Sequence, residues 1–204
     1  MTQIQTALLE KARAGDPAAF QALVLPHQDA VRRFAYGFVK DWTDADDLAQ
    51  DALVKAFRSF SAFEGRSSIS TWLFTVTRSV CLDWFKTRQS KERQRSAQLD
   101  VEPPAPLEST DELLANKQSA EALWRALKQL KVEYRVPVIL FDIEGMPYQD
   151  IARIEGVPVG TVRSRLSRGR SQLAKLLVRR DTNPTSVGTI DARSPSLSVG
   201  NPAE

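Results

Sequence analysis

The chain has 204 residues, enough for one large or two small domains, and its hydrophobic and charged fractions of 42% and 26% are ordinary for a soluble globular protein. One cysteine and one histidine exclude a disulfide framework, a zinc site built on several thiolates and a multi-histidine metal site. The same scarcity disfavours histidine-based catalysis, so we expect no metal, no cofactor and no enzymatic activity.

The sequence also indicates in which cellular compartment the protein is expected. The longest apolar run, residues 136–141, contains a proline and is far too short to span a bilayer. The first fifteen residues have no basic leader followed by an apolar stretch, which is the form of a secretory signal. We therefore expect a cytoplasmic protein without membrane insertion.

The net charge of +3 hides an uneven distribution along the chain. Residues 51–97 carry +5 and residues 151–180 carry +7, whereas residues 98–150 between them carry −5. Solvated helix faces commonly carry a small basic excess, but a charge of +7 within one short segment favours contact with a polyanion.

Helical patterns fill the first half of the chain, and no clear strand or Asn-Gly hairpin pattern is present. Asp16 and Pro17 have the form of an N-cap followed by proline at the first helical position. We expect Thr43 to cap a second helix, and residues 65–68 to separate it from a third helix over about residues 70–88. The apolar positions predicted for these helices are Phe20, Leu23, Val24, Val31, Phe34, Ala35, Phe38, Leu48, Ala52, Leu53, Ala56, Phe57, Phe60, Trp72, Leu73, Val76, Val80 and Trp84.

A linker precedes the second helical block. Residues 89–108 are polar at first and then hold three prolines, which favour extended backbone. Ser109 and Glu112 have capping-box spacing, and the helix or two that follow have apolar positions at Leu113, Leu114, Ala120, Leu123, Leu127 and Leu130. We predict an all-α protein with domains at residues 10–90 and 109–180, a flexible linker at 91–108 and a disordered tail at 181–204.

Residues 147–170 have the strongest local pattern, that of a helix-turn-helix. Pro147 suits the first turn of a short helix, and Ala152 is small where a second helix must cross closely. Gly156 allows the positive φ that a sharp turn needs, and Pro158 opens the second helix. The apolar side chains expected to face inward are Ile151, Ile154, Val162, Leu166 and Leu173.

The outward side of that second helix combines arginines with hydroxyl residues. Side chains one turn apart share a face, so Arg163 with Ser167, and Ser164 with Arg168, can enter one groove together. Arginine binds guanine edges or phosphates, and serine can do either. The alternative is an ordinary basic amphipathic helix. The predicted DNA-binding residues are Thr161, Arg163, Ser164, Arg165, Ser167, Arg168 and Arg170.

Four ordered motifs together resemble the bacterial extracytoplasmic-function (ECF) sigma factors, the small two-domain branch of the sigma-70 family. The motifs are DADDLAQDAL at residues 44–53, FEGRSS at 63–68, STWLFTVTR at 70–78 and VGTVRSR at 159–165. The resemblance spans about residues 10–178. It implies a non-catalytic protein that binds core RNA polymerase, recognises the −10 and −35 promoter elements and opens DNA near the start site.

The resemblance also implies roles for two surfaces in the first domain. The polar face of the second helix would dock on the coiled coil of the polymerase β′ subunit through Asp44, Asp47, Gln50, Asp51 and Lys55. A solvated acidic face is the alternative interpretation, above all for Asp46. The loop and the third helix would contact the −10 element through Arg66, Ser67, Arg78, Ser79, Asp83, Lys86 and Arg88.

One position of the −10 surface departs from the family pattern. The family usually has asparagine where this chain has Ser79, in the pocket for a base flipped from the stack. A serine hydroxyl forms fewer hydrogen bonds than an amide, so we expect a different base preference there. Asp83, one turn on, matches a second pocket position. Trp72 and Cys81 are expected in the core, and His27 is expected at the surface or in a satisfied helical position.

The resemblance also implies an anti-sigma factor that covers the polymerase and DNA surfaces. A stand-alone helix-turn-helix regulator is the first rival interpretation, but it does not require residues 44–88. An enzyme acting on nucleic acid is the second, and the sequence contains no phosphate-binding glycine loop, carboxylate cluster or nucleophile with a histidine partner to support it.

Overall fold

The computed structural model describes residues 3–39, 41–95 and 111–181 of the chain. Within these ranges the regular structure is entirely helical, as predicted, and no helix there is long and apolar enough to cross a membrane. The α-helices are α1 (Gln3–Arg13), α2 (Pro17–Val24), α3 (Gln28–Tyr36), α4 (Trp42–Ser59), α5 (Ile69–Arg95), α6 (Asp111–Gln129), α7 (Val132–Val138), α8 (Tyr148–Glu155) and α9 (Val159–Asp181).

Side-chain caps determine where two of the first helices begin. The Asp16 carboxylate accepts hydrogen bonds from two backbone N–H groups of α2, at 2.9 and 3.3 Å, which confirms the predicted cap. The predicted Thr43 cap is wrong. Asp41 caps α4 instead, since its Oδ1 accepts the N–H of Asp44 at 2.9 Å, and Thr43 therefore lies inside the first turn.

Two helices extend beyond the expected boundaries. Helix α1 starts at Gln3, whereas the first domain was expected to start at residue 10, and its Leu9 and Ala12 are buried together with side chains of α2. Helix α5 continues to Arg95, beyond the expected start of the linker, because good helix formers occupy residues 91–95 and no proline interrupts them. The remainder of the predicted linker to residue 110 and the tail from residue 182 lie outside the described residues.

An aromatic cluster forms the core of the N-terminal helices. Phe20 of α2 contacts Phe57 and Phe60 edge-on, with ring centroids 5.3 and 5.2 Å apart. Trp72 of α5 is partly buried and meets Phe60 in the same way at 5.3 Å. These contacts hold α2, α4 and α5 together, because edge-to-face aromatic pairs add to the free energy of burial.

A second apolar cluster joins the two halves of the chain. It contains Phe34, Phe38, Phe74 and Cys81 from the first half. From the second half it contains Leu127, Val136, Val138, Ile139, Leu140, Ile151, Val162 and Leu166. Burial raises the pKa of the Cys81 thiol to about 12, consistent with the expected core role. The predicted domains therefore share an interior in this structure.

The two halves pack closely at Gly37, in the turn after α3. A Cβ at this position would lie 2.5 Å from Cδ1 of Ile139, which belongs to a π-helical turn after α7. Ile139 is fully buried and cannot move aside easily. A side chain at residue 37 would therefore require a shift of Ile139 or of the turn itself.

Arg135, on α7, is a buried cation at the same junction. Its guanidinium donates to the carbonyls of Leu127 (3.0 Å), Lys128 (2.6 Å) and Leu130 (2.7 Å), at the end of α6. It also donates to the carbonyl of Gly37 in the first half, at 3.0 Å. Burial lowers the pKa of Arg135 to about 10, so the side chain stays charged at neutral pH and caps α6.

Replacing Arg135 with methionine should lower the free energy of unfolding by about 2–4 kcal/mol, because four carbonyls lose a charged donor. Urea unfolding followed by circular dichroism measures the change. The control is Arg125→Met on the exposed face of α6, where a shift below about 0.5 kcal/mol is expected. Equal stabilities of the two variants would contradict the role of Arg135.

Candidate nucleic-acid interface

The turn between α8 and α9 has the geometry predicted for a helix-turn-helix. Gly156 adopts a left-handed conformation with φ +66°, which glycine reaches without the steric penalty of a Cβ. The N–H of Val157 donates to the carbonyl of Ala152 at 3.1 Å and closes the end of α8. The predicted inward positions Ile151, Ile154, Val162 and Leu166 are buried, and Leu173 is partly buried.

The outward face of α9 is accessible along most of the predicted surface. Arg163, Ser164, Ser167, Arg168 and Arg170 are exposed, and Thr161 is half-buried. The Ser164 hydroxyl donates to the carbonyl of Thr161 at 2.9 Å, and the Arg163 guanidinium lies 5.6 Å from the centroid of the Tyr148 ring. Arg168 makes no ion pair within the described part of the chain. A long helix thus presents donors that remain available to an anion.

Arg165 turns inward rather than outward, and Arg170 is exposed but held in an ion pair. Arg165 lies one turn after the buried Val162, so its side chain turns toward α8 and donates from Nη1 to Oε2 of Glu155 at 2.9 Å. Arg170 donates from Nε to Oδ2 of Asp142 at 3.0 Å. Both arginines are engaged within the protein in this structure.

The residues predicted to dock on polymerase form an exposed strip along α4. Asp44, Asp47, Asp51 and Lys55 recur at intervals of three or four residues, so they share one face of the helix. Asp47, Asp51 and Lys55 are exposed, as is the neighbouring Gln50, and Asp44 is half-buried. The structure therefore brings the five residues together on one surface.

Two of the predicted −10 residues lie beside this strip. Ser79 of α5 accepts a hydrogen bond from Nζ of Lys55 at 3.0 Å. Asp83 lines a groove between α4 and α5 together with Asp51, Lys55 and the 43%-exposed Val54. The Ser79–Asp83 pair and the α4 strip thus form one continuous surface.

The other predicted −10 residues are spread around this surface. Arg88 lies 3.6 Å from Oδ2 of Asp44 and stacks 5.0 Å from the centroid of the Trp84 ring, and Lys86 is exposed. In the loop, Arg66 is 83% exposed and forms an ion pair with Glu64, while Ser67 is half-buried. These four residues are therefore at least partly accessible at the surface of the first half, whereas Arg78 is not part of this surface.

Arg78 faces the second half of the molecule. Successive helical residues differ by about 100° around the axis, so Arg78 points away from the neighbouring Ser79. Its Nε is buried without a hydrogen-bond partner and lies 3.6 Å from Oε1 of Glu155. Arg78 is therefore not exposed beside Ser79 in this structure, and its role at the −10 element stays a prediction.

Sequence reasoning missed the carboxylates that partner these arginines. Glu155 is 1% exposed at its side chain and pairs with Arg165 and Arg78. Burial raises the pKa of Glu155, and the two arginines act in the opposite direction. One feature of the sequence could have indicated Glu155: it is the single acidic residue of the basic segment 151–180. Ser68, which accepts the N–H of Thr71 at 3.0 Å in the first turn of α5, was also missed.

The sequence and the helical arrangement have clear counterparts among known proteins. Residues 23–91 match the family model of Sigma-70 region 2, and residues 120–173 match that of Sigma-70, region 4. The ECF RNA polymerase sigma factor SigM of Mycobacterium tuberculosis is 37% identical over 164 residues, which is 80% of each chain. The chain belongs to the ECF sigma factor family. It is therefore a sigma factor that confers promoter specificity on RNA polymerase.

Further relatives and solved structures agree with this family. The RNA polymerase sigma-H factor of Pseudomonas aeruginosa is 31% identical, with 83% of this chain and 92% of the relative covered. The sigma factor RpoE of Bartonella quintana, solved with the anti-sigma factor NepR, has a TM-score of 0.63 at 30% identity, covering 78% of this chain and 96% of RpoE. CnrH, solved with the cytosolic domain of CnrY, has a TM-score of 0.61 at 26% identity, covering 85% and 96%.

Close packing at Gly169 sets the position of α9 in this sigma factor. A Cβ there would lie 2.8 Å from Cγ2 of Val138 and 3.0 Å from the carbonyl oxygen of Tyr134, both on α7. Gly169→Ala should therefore destabilise the protein by about 1–3 kcal/mol, as measured by urea unfolding.

Gly160 is the matched control on the same helix, because a Cβ there meets no atom within 4 Å. Gly160→Ala should raise the free energy of unfolding by about 0.5–1 kcal/mol through helix propensity. Stabilisation by both substitutions would show that α7 and α9 are not in close contact at Gly169.

Proposed function

We propose that the sigma factor divides promoter recognition between its two halves, with α9 binding the −35 element and α5 with its preceding loop binding the −10 element. The observation that carries the proposal is the exposed row of Arg163, Ser164, Ser167 and Arg168 on the second helix of a helix-turn-helix. We also propose that the protein acts in the cytoplasm without catalysis of its own and lends specificity to the polymerase.

The −35 interaction follows from the shape of α9. The major groove of DNA admits one α-helix, and the exposed arginines and serines near the start of α9 would reach base edges there. Arg168 is the best candidate for base recognition, since it is exposed and makes no ion pair among the described residues. Arg163 lies over the Tyr148 ring, which would restrict its orientation toward the groove.

The −10 interaction uses the surface around Ser79 and Asp83. A base that leaves the stack needs new hydrogen bonds, because unstacking costs a few kcal/mol. The Ser79 hydroxyl and the exposed Asp83 carboxylate would supply them, while Arg66, Lys86 and Arg88 would hold phosphates of the non-template strand. Serine in place of an amide changes the donors and acceptors offered, so the base preference at this position should differ from that of asparagine-containing relatives.

The polymerase interaction uses the strip on α4. Its acidic residues and Gln50 offer charge pairs and hydrogen bonds to the β′ coiled coil of the polymerase. Two contacts join this strip to the proposed −10 surface, Lys55 with Ser79 and Asp44 with Arg88. Polymerase bound to α4 would compete for Lys55 and Asp44. Ser79 and Arg88 would then be able to contact DNA.

An anti-sigma factor is a further proposed partner. RpoE, which is similar to this chain over 78% of its length, was solved with the anti-sigma factor NepR, and CnrH with the cytosolic domain of CnrY. A partner of this kind would compete with core polymerase for the α4 strip.

The proposal is tested first by binding to core polymerase. The purified full chain should co-elute with core polymerase and support run-off transcription from promoters selected with the holoenzyme. Gln50→Ala combined with Asp51→Ala should weaken core binding at least about tenfold, because both exposed side chains lose polar contacts. Glu10→Ala on α1, an exposed carboxylate outside the strip, should leave core binding unchanged. A chain that binds promoter DNA but not core polymerase would be a stand-alone regulator instead.

Base recognition by α9 is tested at Arg168. Arg168→Ala should weaken binding to the selected −35 duplex by about 1–3 kcal/mol and relax the preference at one base pair, as measured by fluorescence anisotropy. Lys131→Ala, an exposed cation outside α9, removes the same charge and should change affinity less than about twofold. An equal loss on every sequence would make Arg168 a phosphate contact.

A further inference from the structure

Two stacked aromatic rings and two arginines form a ladder along one side of α9. The rings of Phe141 and Tyr148 have centroids 4.7 Å apart and an interplanar angle of 8°. The Arg163 guanidinium lies 5.6 Å from the centroid of the Tyr148 ring, and the Arg170 guanidinium lies 5.1 Å from the centroid of the Phe141 ring. The order along this aromatic ladder is therefore cation, ring, ring, cation.

The chain that precedes α9 holds the two rings in place. Phe141 belongs to the π-helical turn Ile139–Ile143, and Tyr148 is the first residue of α8. Both side chains are half-buried and pack against the apolar cluster that contains Val162 and Leu166. Rings that are fixed by the core offer each guanidinium a fixed face, so the arginines lose less freedom when they bind an anion.

Arg163 and Arg170 lie on the flank of α9 rather than at the centre of its outward face. Residues seven apart are separated by about two turns, so these arginines are about 10 Å apart along the axis and point in nearly the same direction. The exposed Ser164 and Arg168 point about 100° or more away from that flank, on the side away from the buried Val162. A helix in the major groove presents its outward face to base edges and its flanks to the phosphates that border the groove.

Arg170 keeps donors for a phosphate although it is paired within the protein. Its Nε donates to Oδ2 of Asp142 at 3.0 Å, and its Nη2 donates to the other oxygen of the same carboxylate. The hydrogen bond to Asp142 raises the pKa of Arg170, so the guanidinium stays charged. A guanidinium has five N–H donors, so Nη1 and the second hydrogen of Nη2 can still bind an anion. The side chain is 48% exposed, which leaves it accessible to DNA.

We propose that Tyr148 and Phe141 are positioning residues, which hold Arg163 and Arg170 as a clamp on the phosphates beside the −35 base pairs. This proposal rests on the proposed binding of α9 to the −35 element and gives its arginines different tasks. Contacts to phosphates carry no sequence information directly but fix the register and orientation of the helix, whereas the exposed Arg168 contacts base edges. The aromatic ladder supplies affinity and placement, and the outward face supplies specificity.

The clamp is tested by the affinity of the full chain for the selected −35 duplex and for a scrambled duplex of the same length. Arg163→Met and Arg170→Met should each weaken binding to both duplexes by the same factor, about three- to tenfold. Each should also reduce the slope of log affinity against log salt concentration by about 0.9, the value for one lost phosphate contact. Arg168→Ala should instead reduce the preference for the selected sequence.

A double-mutant cycle tests the rings as positioning residues. Tyr148→Leu should weaken binding about three- to tenfold, whereas Tyr148→Phe keeps the ring and should change affinity less than about twofold. In the Arg163→Met background, Tyr148→Leu should weaken binding less than about twofold further, because the arginine that the ring positions is absent. Phe141→Leu should depend on Arg170 in the same way, with Phe141→Tyr as the variant that keeps the ring.

The cycle separates positioning from a purely structural role. If Tyr148→Leu weakens binding equally in the wild type and in Arg163→Met, the ring only stabilises the fold and the positioning role is wrong. If circular dichroism shows that one leucine variant has lost its helices, the cycle at the other ring decides.

Two further results distinguish the clamp from the proposed function. A loss of base preference in Arg163→Met would overturn the clamp, because a phosphate contact does not discriminate between sequences. Equal wild-type affinity for the selected and scrambled duplexes would overturn recognition of the −35 element by α9. The cycle on either duplex would still measure the clamp in that case, since phosphate contacts bind any sequence.

Discussion

The arrangement of the two halves depends on charges buried within an apolar junction. A guanidinium or carboxylate removed from water is costly unless it is paired or fully hydrogen-bonded. Arg135 meets this requirement through four carbonyls, three at the end of α6 and one at Gly37. Because these acceptors are backbone carbonyls, their positions are set by α6 and by the turn after α3. The Arg135 side chain therefore fixes α6 and α7 against that turn.

The acidic residues at this junction impose orientation in the same way. Glu144 and Glu155 belong to the second half, and their partners Arg33 and Arg78 belong to the first. Apolar contacts alone would allow the two halves to shift against each other. The two buried carboxylates restrict such shifts, because each must stay close to its arginine partner. Such pairs add more to specificity of arrangement than to stability, since their desolvation offsets much of their attraction.

The functional surfaces differ in how they relate to this junction. The α4 strip and the exposed face of α9 lie outside it, so they are available whichever way the halves are arranged. Arg78 and Arg165 lie inside it and pair with Glu155. Some basic side chains are therefore exposed, and others are paired inside the junction.

The sequence alone determined the helical class, the helix-turn-helix with its Gly156 turn, the Asp16 cap and the family, because these depend on local spacing and residue type. It also located the exposed faces of α4 and α9, since helical periodicity separates buried from exposed positions. Periodicity did not separate Thr43 from Asp41 as a cap, or Arg78 and Arg165 from the outward arginines. Those outcomes depend on which residues lie nearby in space, such as Glu155, which is 77 residues from Arg78 along the chain. Only the tertiary structure brings such distant charges together and decides which arginines pair inside the protein and which remain exposed.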